Sequence, residues 1–199
     1  MIFGISAPFR GPLANPQDIR AVAGAAEQFG YGVLTVADHI LVPSTVEANY
    51  PYSESGEFVW TADGTTDCME QFTLLAWLAA ATTEIRLLTS VIVVPHRNPL
   101  FMAKSLATTD QLSGGRVTVG CGAGWMREEF EALNLPDFDA RGRVTDEYIK
   151  IMLECWQNER ASFDGDFMQF EGVALDPKPV QRPHPPIWIG GESMPAIRR

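Results

Sequence analysis

A β-branched run followed by a capped helix occupies residues 86–113, which read RLLTSVIVVPHRNPLFMAKSLATTDQLS. The part from 86 to 94 is typical of a buried strand, because it is mostly apolar and several of its residues branch at Cβ. Asn98 followed by Pro99 predicts the cap and first turn of a helix, so Asn98 is interpreted as a cap rather than a ligand contact. The helix is expected to end near residues 113–115, which read SGG. A strand that leads straight into a helix is typical of parallel α/β folds.

The same alternation of strand and helix extends in both directions along the chain. The remaining strands are predicted at 2–7, 33–37, 116–120 and 186–189. The remaining helices are predicted to begin at Asn15, to span 69–81 and 145–158, and to begin again at Ser193. Strands that alternate with helices pair in parallel through right-handed crossovers. We therefore expect an α/β fold built on parallel strands.

The composition indicates a globular domain over residues 1–199. The chain is 46% hydrophobic and 20% charged, which excludes general disorder. It has no apolar run of about 18 residues and no signal-peptide pattern at its start, so we expect a cytoplasmic protein without membrane spans. A net charge of -10 argues against binding to nucleic acid or to an anionic membrane. Cys68, Cys121 and Cys155 are odd in number and widely spaced, which favours reduced packing residues.

Two connections are long enough to form features of their own. The insertion at 41–66 carries Tyr50, Tyr52, Phe58 and Trp60 among acidic residues, and it is interpreted as a substrate lid, with a poorly ordered excursion as the alternative. The connection at 161–185 contains the sequence FDGDF, which predicts a hairpin turn that serves as surface cover.

The residues that follow the strands carry the candidate chemistry, because parallel α/β folds bind ligands at the carboxyl ends of their strands. Asp38 and His39 follow the second predicted strand and are candidates for proton transfer or for hydrogen bonding to a ligand. The alternative is that Asp38 caps a turn and His39 packs. Arg97, after the third predicted strand, is a candidate anion contact.

Glycines follow the fourth and fifth predicted strands. Gly120, Gly122 and Gly124 alternate with other residues, which allows the backbone to approach a flat or anionic ligand. Gly190 and Gly191 precede a predicted helix start, where free N–H groups are suited to a phosphate. A tight turn and ordinary helix capping are the respective alternatives.

The chain lacks the motifs of hydrolytic chemistry. It has no G-x-S-x-G nucleophile motif and no H-E-x-x-H motif, and its three histidines lie on separate segments, so no metal site is predicted and a metal hydrolase is a weak alternative. Small or polar residues at four strand ends therefore favour a pocket that holds a bulky planar cofactor and leaves the chemistry to it.

These motifs together resemble the bacterial-luciferase-like oxidoreductases, and among them the F420-dependent group. The resemblance runs nearly from end to end. The matching stretches are 29–39, 79–87, 95–99, 112–116, 120–125, 129–133, 141–143 and 185–191.

The resemblance implies a TIM-type (β/α)8 barrel that binds a flavin or deazaflavin at its carboxyl-end mouth. It implies a non-proline cis peptide between Ser90 and Val91 beside the cofactor ring, and it places Asp38 and His39 near that ring as catalytic residues. It also implies cofactor contacts, which are Gly120, Gly122 and Ala123 along the cofactor and Gly190 and Gly191 at its phosphate.

Two departures from the family pattern modify these expectations. Trp125 stands where sugar-phosphate dehydrogenases of the family have an acidic Glu, so a sugar-phosphate substrate is not expected. Glu128, Glu129, Arg141 and Arg143 are interpreted either as a charged cluster beside the mouth or as a solvated set. The chain has about five βα units, whereas a closed barrel needs eight, so we expect a C-terminally incomplete barrel.

The predicted function is that of an F420-dependent oxidoreductase that moves a hydride between the deazaflavin and a small organic substrate. An FMN-dependent monooxygenase that uses reduced flavin and oxygen is the close alternative. A non-catalytic barrel fragment that needs a partner is the alternative from another class, and the resemblance suggests a homodimer.

Overall fold

A parallel sheet of six strands and a separate hairpin form the β-structure of the protein. The computed structural model describes residues 1–43, 45–47, 49–51, 53–56, 58 and 67–199. The strands of these residues are β1 (Gly4–Ser6), β2 (Val33–Val36), β3 (Arg86–Thr89), β4 (Ile92–Val93), β5 (Val117–Gly122), β6 (Ala161–Asp164), β7 (Gln169–Val173) and β8 (Ile187–Ile189). Strands β6 and β7 pair with each other in an antiparallel hairpin, as the FDGDF sequence predicts, and the other six form the sheet.

The pairing order of the sheet follows the order of the chain. Strand β1 pairs with β2, β2 with β3, and β3 with β5, always in parallel. Strand β4 continues β3 along one edge of β5, and β8 pairs with the other edge. The prediction of a single strand over 86–94 is therefore wrong in one respect: the strand is broken, and the Ser90–Val91 peptide at the break is cis, as the family resemblance implied.

Six α-helices lie between or after these strands in the described residues. They are α1 (Pro16–Gln28), α2 (Gln71–Ala81), α3 (Pro99–Ser113), α4 (Arg127–Ala132), α5 (Arg141–Gln157) and α6 (Met194–Arg198) within the described residues. The side chain of Asn98 accepts hydrogen bonds from the N–H groups of Leu100 and Phe101, so its prediction as a cap is confirmed. Gly114 ends α3 in the left-handed conformation, with φ of 68°.

Two helical predictions need correction. Helix α4 was not predicted, because it spans six residues and buries a single apolar side chain, Phe130, which leaves no periodic pattern to detect. Helix α5 begins at Arg141 rather than at Thr145. The Thr145 hydroxyl donates to the carbonyl of Arg141, so this residue lies inside the helix instead of capping it.

The core lies between the sheet and helices α1, α2, α3 and α5. Leu34, Leu87 and Val119 of the sheet are fully buried, as are Met102 of α3 and Trp156 of α5. The indole N–H of Trp156 donates to the Ala103 carbonyl at 2.9 Å, which satisfies the polar atom of a buried ring. Helix packing on this side leaves the carboxyl ends of the strands available for a site.

The three cysteines are reduced, as the sequence predicts. Cys68, Cys121 and Cys155 are free thiols, and burial raises the pKa of Cys121 to about 12, which makes it an inert packing residue at neutral pH. Among the described residues, no helix combines the length and the apolar character needed to cross a bilayer.

Candidate functional site

A cavity of about 440 Å³ opens at the carboxyl ends of the parallel strands. Such a volume lies within the range of about 300–1,000 Å³ that is usual for small-molecule sites. The predicted residues that line it are Asp38, His39, Ser90, Val91, Gly122, Ala123, Gly190 and Gly191. Residues from four different parts of the sequence therefore meet at one place, as the parallel arrangement predicts.

The polar centre of the cavity is an imidazole–carboxylate pair. His39 Nδ1 lies 2.9 Å from Glu129 Oε2, and the side chains are 10% and 1% exposed. Glu129 Oε1 also accepts from the N–H of Ile40 at 2.8 Å, so the carboxylate holds the loop that follows β2. Burial tends to raise the pKa of Glu129, but the hydrogen bond from His39, the charges of His96 and His39, and the Ile40 N–H outweigh it, and the pKa lies below its usual range.

Asp38 is bound on both of its oxygens by the protein itself. Arg97 donates to Oδ2 at 2.7 Å and to Oδ1 at 2.8 Å, and the N–H of Val93 donates to Oδ2 at 2.9 Å. Arg97 also pairs with Glu70 at 3.1 Å. Arg97, the predicted anion contact, thus has the carboxylates of its own chain as partners. Asp38 borders the cavity and ties the end of β2 to β4.

The side chain of Val91 is the reason that glycine occupies two of the predicted positions, Gly122 and Gly190. A Cβ atom on Gly122 would lie 2.4 Å from Val91 Cγ2, and one on Gly190 would lie 2.6 Å from Val91 Cγ1. The isopropyl group therefore occupies the space that these glycines leave, and Val91 with Ala123 gives the cavity an apolar wall.

Gly120 is not among the residues that line the cavity, and its contact with a cofactor, which the family resemblance implies, stays a prediction. It is buried in β5, and a Cβ atom there would lie 2.1 Å from the Thr89 carbonyl oxygen. The Thr89 hydroxyl also bridges Gly120, donating to its carbonyl at 2.8 Å and accepting from its N–H at 2.7 Å. This glycine serves close packing between β3 and β5.

Aromatic rings cover another part of the cavity. The ring of Trp125 lies 5.0 Å from those of Tyr50 and Phe58, centroid to centroid, and the ring of His39 lies 5.6 Å from Phe58. Tyr50 and Phe58 belong to the predicted lid and both line the cavity. Tyr52 and Trp60, named in the same prediction, lie outside the described residues.

The predicted charged cluster is divided between several places. Arg141 lines the cavity and donates to the carbonyls of Gly124 and Phe138. Glu128 Oε1 accepts from the N–H of Glu47, and Arg143 lies over the ring of Phe167. Glu129 contacts His39, and nothing local in the sequence indicates this, because the two residues are 90 positions apart.

His96 is a site residue that the sequence analysis missed. It is buried, lines the same cavity, and its Nδ1 lies 3.8 Å from Glu129 Oε1. Two of the three histidines thus converge on one carboxylate, while His184 stacks near Trp156. Among the residues that the structure describes, no group of three or more His, Cys, Asp or Glu side chains is arranged to hold a metal ion.

The residues present fit a planar cofactor better than a metal or a bulky polar ligand. Ser90, Val91, Ala123 and the two glycines at 190–191 give a wall with little side-chain bulk, next to one proton-carrying pair. This is the arrangement expected when a cofactor supplies the reactive atoms and the protein supplies orientation and proton transfer.

Known proteins share this architecture and much of the sequence. Over 129 residues, which are 64% of this chain and 35% of the relative, the chain is 40% identical to an FMNH(2)-dependent dimethylsulfone monooxygenase of Pseudomonas putida. The crystal structure of monooxygenase RslO1 from Streptomyces bottropensis superposes with a TM-score of 0.74 at 26% identity, covering 95% of this chain and 53% of that chain.

An F420-dependent secondary alcohol dehydrogenase, solved with an F420–acetone adduct, superposes with a TM-score of 0.72 at 23% identity. The match covers 96% of this chain and 52% of that one, and at this identity it shows the fold. The chain therefore spans about half the length of its solved structural neighbours.

The predicted TIM-type α/β fold is confirmed by these neighbours, and the sequence model of the luciferase-like monooxygenases matches every position from 1 to 199. By this match the chain belongs to the luciferase-like monooxygenase family.

Proposed function

We propose that this chain carries the cofactor-binding and proton-transferring part of an F420-dependent oxidoreductase that interconverts a small alcohol and its carbonyl compound. The observation that carries the proposal is the buried His39–Glu129 pair, which borders a cavity with an apolar wall. Oxidation of an alcohol removes a hydride from carbon and a proton from oxygen, and the pair is suited to the proton.

The cofactor would lie against the wall formed by Ser90, Val91, Gly122 and Ala123, with its phosphate toward Gly190 and Gly191. When bound, F420 supplies the redox half of the reaction by accepting or giving a hydride. Val91 and Ala123 present methyl groups rather than polar atoms, so this wall excludes water from one side of the site.

His39 takes the substrate proton during oxidation and returns it during reduction. Its Nδ1–H donates to Glu129, which assigns the tautomer and leaves Nε2 as the basic nitrogen. The Glu129 carboxylate stabilises the imidazolium that forms and fixes the orientation of the ring. The proton from the hydroxyl oxygen goes to Nε2 while the C–H bond breaks and the carbonyl forms, so the balance of atoms and charge is complete.

The aromatic rings favour an uncharged substrate of modest size. Tyr50, Phe58 and Trp125 present apolar surface next to His39, and burial of apolar substrate groups against it is favourable. A phosphorylated sugar gains little from such a surface. We therefore expect short alcohols or ketones with apolar substituents.

Monooxygenation with reduced FMN is the second candidate. It is favoured by the 40% identity to an FMNH(2)-dependent dimethylsulfone monooxygenase. The same wall would hold the flavin ring, and His39 would again handle a proton. Oxygen consumption separates the two candidates, because only the second requires oxygen.

The test is a fluorescence titration of the purified protein with F420 and, separately, with FMN, followed by measurement of oxygen uptake in aerated buffer with each cofactor in its reduced form. We expect F420 to bind, and its absorbance to change when a panel of short alcohols is added without oxygen uptake. His184→Asn serves as a control variant. It is expected to leave cofactor binding unchanged, because His184 packs near Trp156, away from the cavity. FMN binding with oxygen consumption would establish the second candidate. Failure to bind either cofactor would overturn both candidates and favour a non-catalytic chain that acts with a partner.

A further inference from the structure

We propose that His96 is a second proton-carrying residue of this site, linked to His39 through Glu129 in a His39–Glu129–His96 relay. The role of the relay rests on the proposed function, since the relay carries the proton that His39 takes from the substrate. The relay itself consists only of side chains of this chain, so it can be tested without a cofactor.

The geometry places Glu129 between the two imidazoles. Its Oε2 lies 2.9 Å from His39 Nδ1, and its Oε1 lies 3.8 Å from His96 Nδ1. The two rings therefore lie next to different oxygens of one carboxylate. A shift of about 1 Å brings the second pair to hydrogen-bond distance.

The side chain of His96 is buried without a hydrogen-bond partner. Its side chain is 1% exposed, and neither ring nitrogen has a partner among the residues that the structure describes. Buried polar atoms are nearly always paired, so an unpaired imidazole beside a functional carboxylate calls for an explanation. The edge of Phe130, 4.9 Å away between ring centroids, fixes the ring, and Phe130 follows Glu129 directly in α4.

Burial keeps the His96 ring neutral at rest, and the carboxylates beside it favour the charged form. Burial lowers the pKa of His96, while the carboxylates of Glu129 and Asp38 oppose this effect, and Arg97 and His39 add to it. Arg97 is already paired with Asp38, so Glu129 is the carboxylate near enough to stabilise a charged His96 ring. Cys68 faces the same carboxylate, and burial raises its pKa, so it remains a neutral thiol.

The relay moves one proton from the substrate to His96 in three transfers. The substrate proton binds His39 Nε2, and the proton on His39 Nδ1 passes to Glu129 Oε2. A half-turn of the carboxyl group then presents the O–H to His96 Nδ1, which accepts the proton and becomes an imidazolium whose other proton is on Nε2. Glu129 is again a carboxylate, and His39 is neutral with its proton on Nε2. Return of the proton by the reverse path restores the Nδ1–H tautomer, so no co-reactant is needed.

The first test is a pH titration of the imidazole 15N chemical shifts by NMR, on the protein without cofactor. The chain has three histidines, so each signal is assigned by its loss in a single-substitution variant. We expect Glu129→Gln to move the protonation of the His96 ring to lower pH, because the carboxylate of Glu129 favours the charged ring. The His184 signal is the internal control and is expected to be the same with and without Glu129→Gln.

A His96 ring whose protonation is unchanged by Glu129→Gln would overturn the relay. Glu129→Gln retains both histidines, so the outcome does not depend on whether a His96 variant folds. If Glu129→Gln changes the protonation of His96 but neither F420 nor FMN binds, the relay is upheld and the proposed function is overturned. If the protein turns over substrate but Glu129→Gln leaves the protonation of His96 unchanged, the proposed function is upheld and the relay is overturned.

The second test uses turnover once a cofactor has been established. His96→Gln is expected to lower kcat about tenfold with KM unchanged and to shift the pH profile, because the proton then has a single carrier. A purely packing role predicts lost thermal stability with kcat and the pH profile unchanged. That result would overturn the proposal.

Discussion

The carboxyl ends of β5 and β8 and the carboxyl end of β2 border the same cavity, but they are built in different ways. At β5 and β8, glycines make room for a side chain of the protein, since Val91 fills the space above Gly122 and Gly190. At β2, His39 is paired with Glu129, a residue on a different element 90 positions away. The first region shapes the cavity, and the second is where we propose that proton transfer takes place.

This difference separates two kinds of variant. Changes in the glycine region are expected to act on stability and on the shape of the wall. Changes at the histidine pair are expected to act on proton transfer while leaving the wall intact. Five measurements test that separation, in order of decreasing expected effect.

The largest effect is expected for His39→Asn. The amide N–H of Asn can still donate to Glu129, but it has no basic nitrogen, so general-base catalysis is lost. We expect kcat to fall by about 10²–10⁴-fold, with the cofactor Kd unchanged. Steady-state kinetics and a fluorescence titration measure the two quantities. A matching loss of cofactor affinity would mean that His39 holds the cofactor instead.

Asp38→Asn is expected to destabilise the protein by about 3–5 kcal/mol, since it leaves the buried guanidinium of Arg97 without its main partner. Urea unfolding measures the change. The double variant Asp38→Asn with Arg97→Gln is expected to recover part of the loss, because no unpaired buried guanidinium remains and the Glu70 carboxylate, which loses its partner, is 43% exposed to water. If Asp38→Asn abolished turnover at unchanged stability, Asp38 would be catalytic rather than a positioning residue.

Gly122→Ala tests the other region. The new methyl group would lie 2.4 Å from Val91 Cγ2, and overpacking of this kind costs about 1–3 kcal/mol. Adding Val91→Ala is expected to restore most of the stability, since the clashing group is removed. Gly24→Ala in α1 is the control, because a Cβ there meets nothing within 4 Å and alanine favours a helix. Equal losses in both variants would contradict the assigned contact.

How far the sequence predicts this molecule depends on the range of the interactions involved. Asn98, Gly114 and the FDGDF turn act on neighbouring backbone, so their patterns predict local structure correctly. Family resemblance adds the cis peptide at Ser90–Val91, which no propensity indicates.

The remaining features arise from contacts between distant segments. Glu129 looks like one more charged residue of an acidic stretch, and only the packing of α4 against the loop after β2 makes it the partner of His39. His96 was passed over for the same reason, because its position beside Glu129 depends on the break between β3 and β4. The close approach of Gly120 to Thr89 could not be predicted either, because a glycine pattern does not distinguish an approaching ligand from an approaching strand.

The pH dependence of stability separates the contribution of His96 from that of Glu129. The folded-state pKa of His96 is lowered, so the neutral ring contributes stability that is lost as pH falls below the ordinary histidine pKa of about 6.5. The folded-state pKa of Glu129 is also lowered, so its contribution is lost at more acidic pH, below about 4.3. Melting temperatures measured from pH 8 to pH 3 are therefore expected to fall in two stages. His96→Phe is expected to reduce the first stage. Glu129→Gln is expected to reduce the second without removing it, because the pKa values of Glu27 and Glu70 are lowered as well.

The smallest effect is expected for Asn98→Ala, which removes the cap of α3 and leaves the cavity residues in place. Loss of the hydrogen bonds to the Leu100 and Phe101 N–H groups costs about 1 kcal/mol, measured by urea unfolding. Asn98→Asp is the matched control and is expected to retain the stability, since its carboxylate accepts the same bonds at a helix N-terminus. Cofactor affinity and kcat should stay constant in both variants, because neither region of the cavity contains Asn98. A drop in cofactor affinity with Ala but not with Asp would show that the α3 cap also positions the wall at Ser90–Val91, and the two regions would then be one mechanical unit.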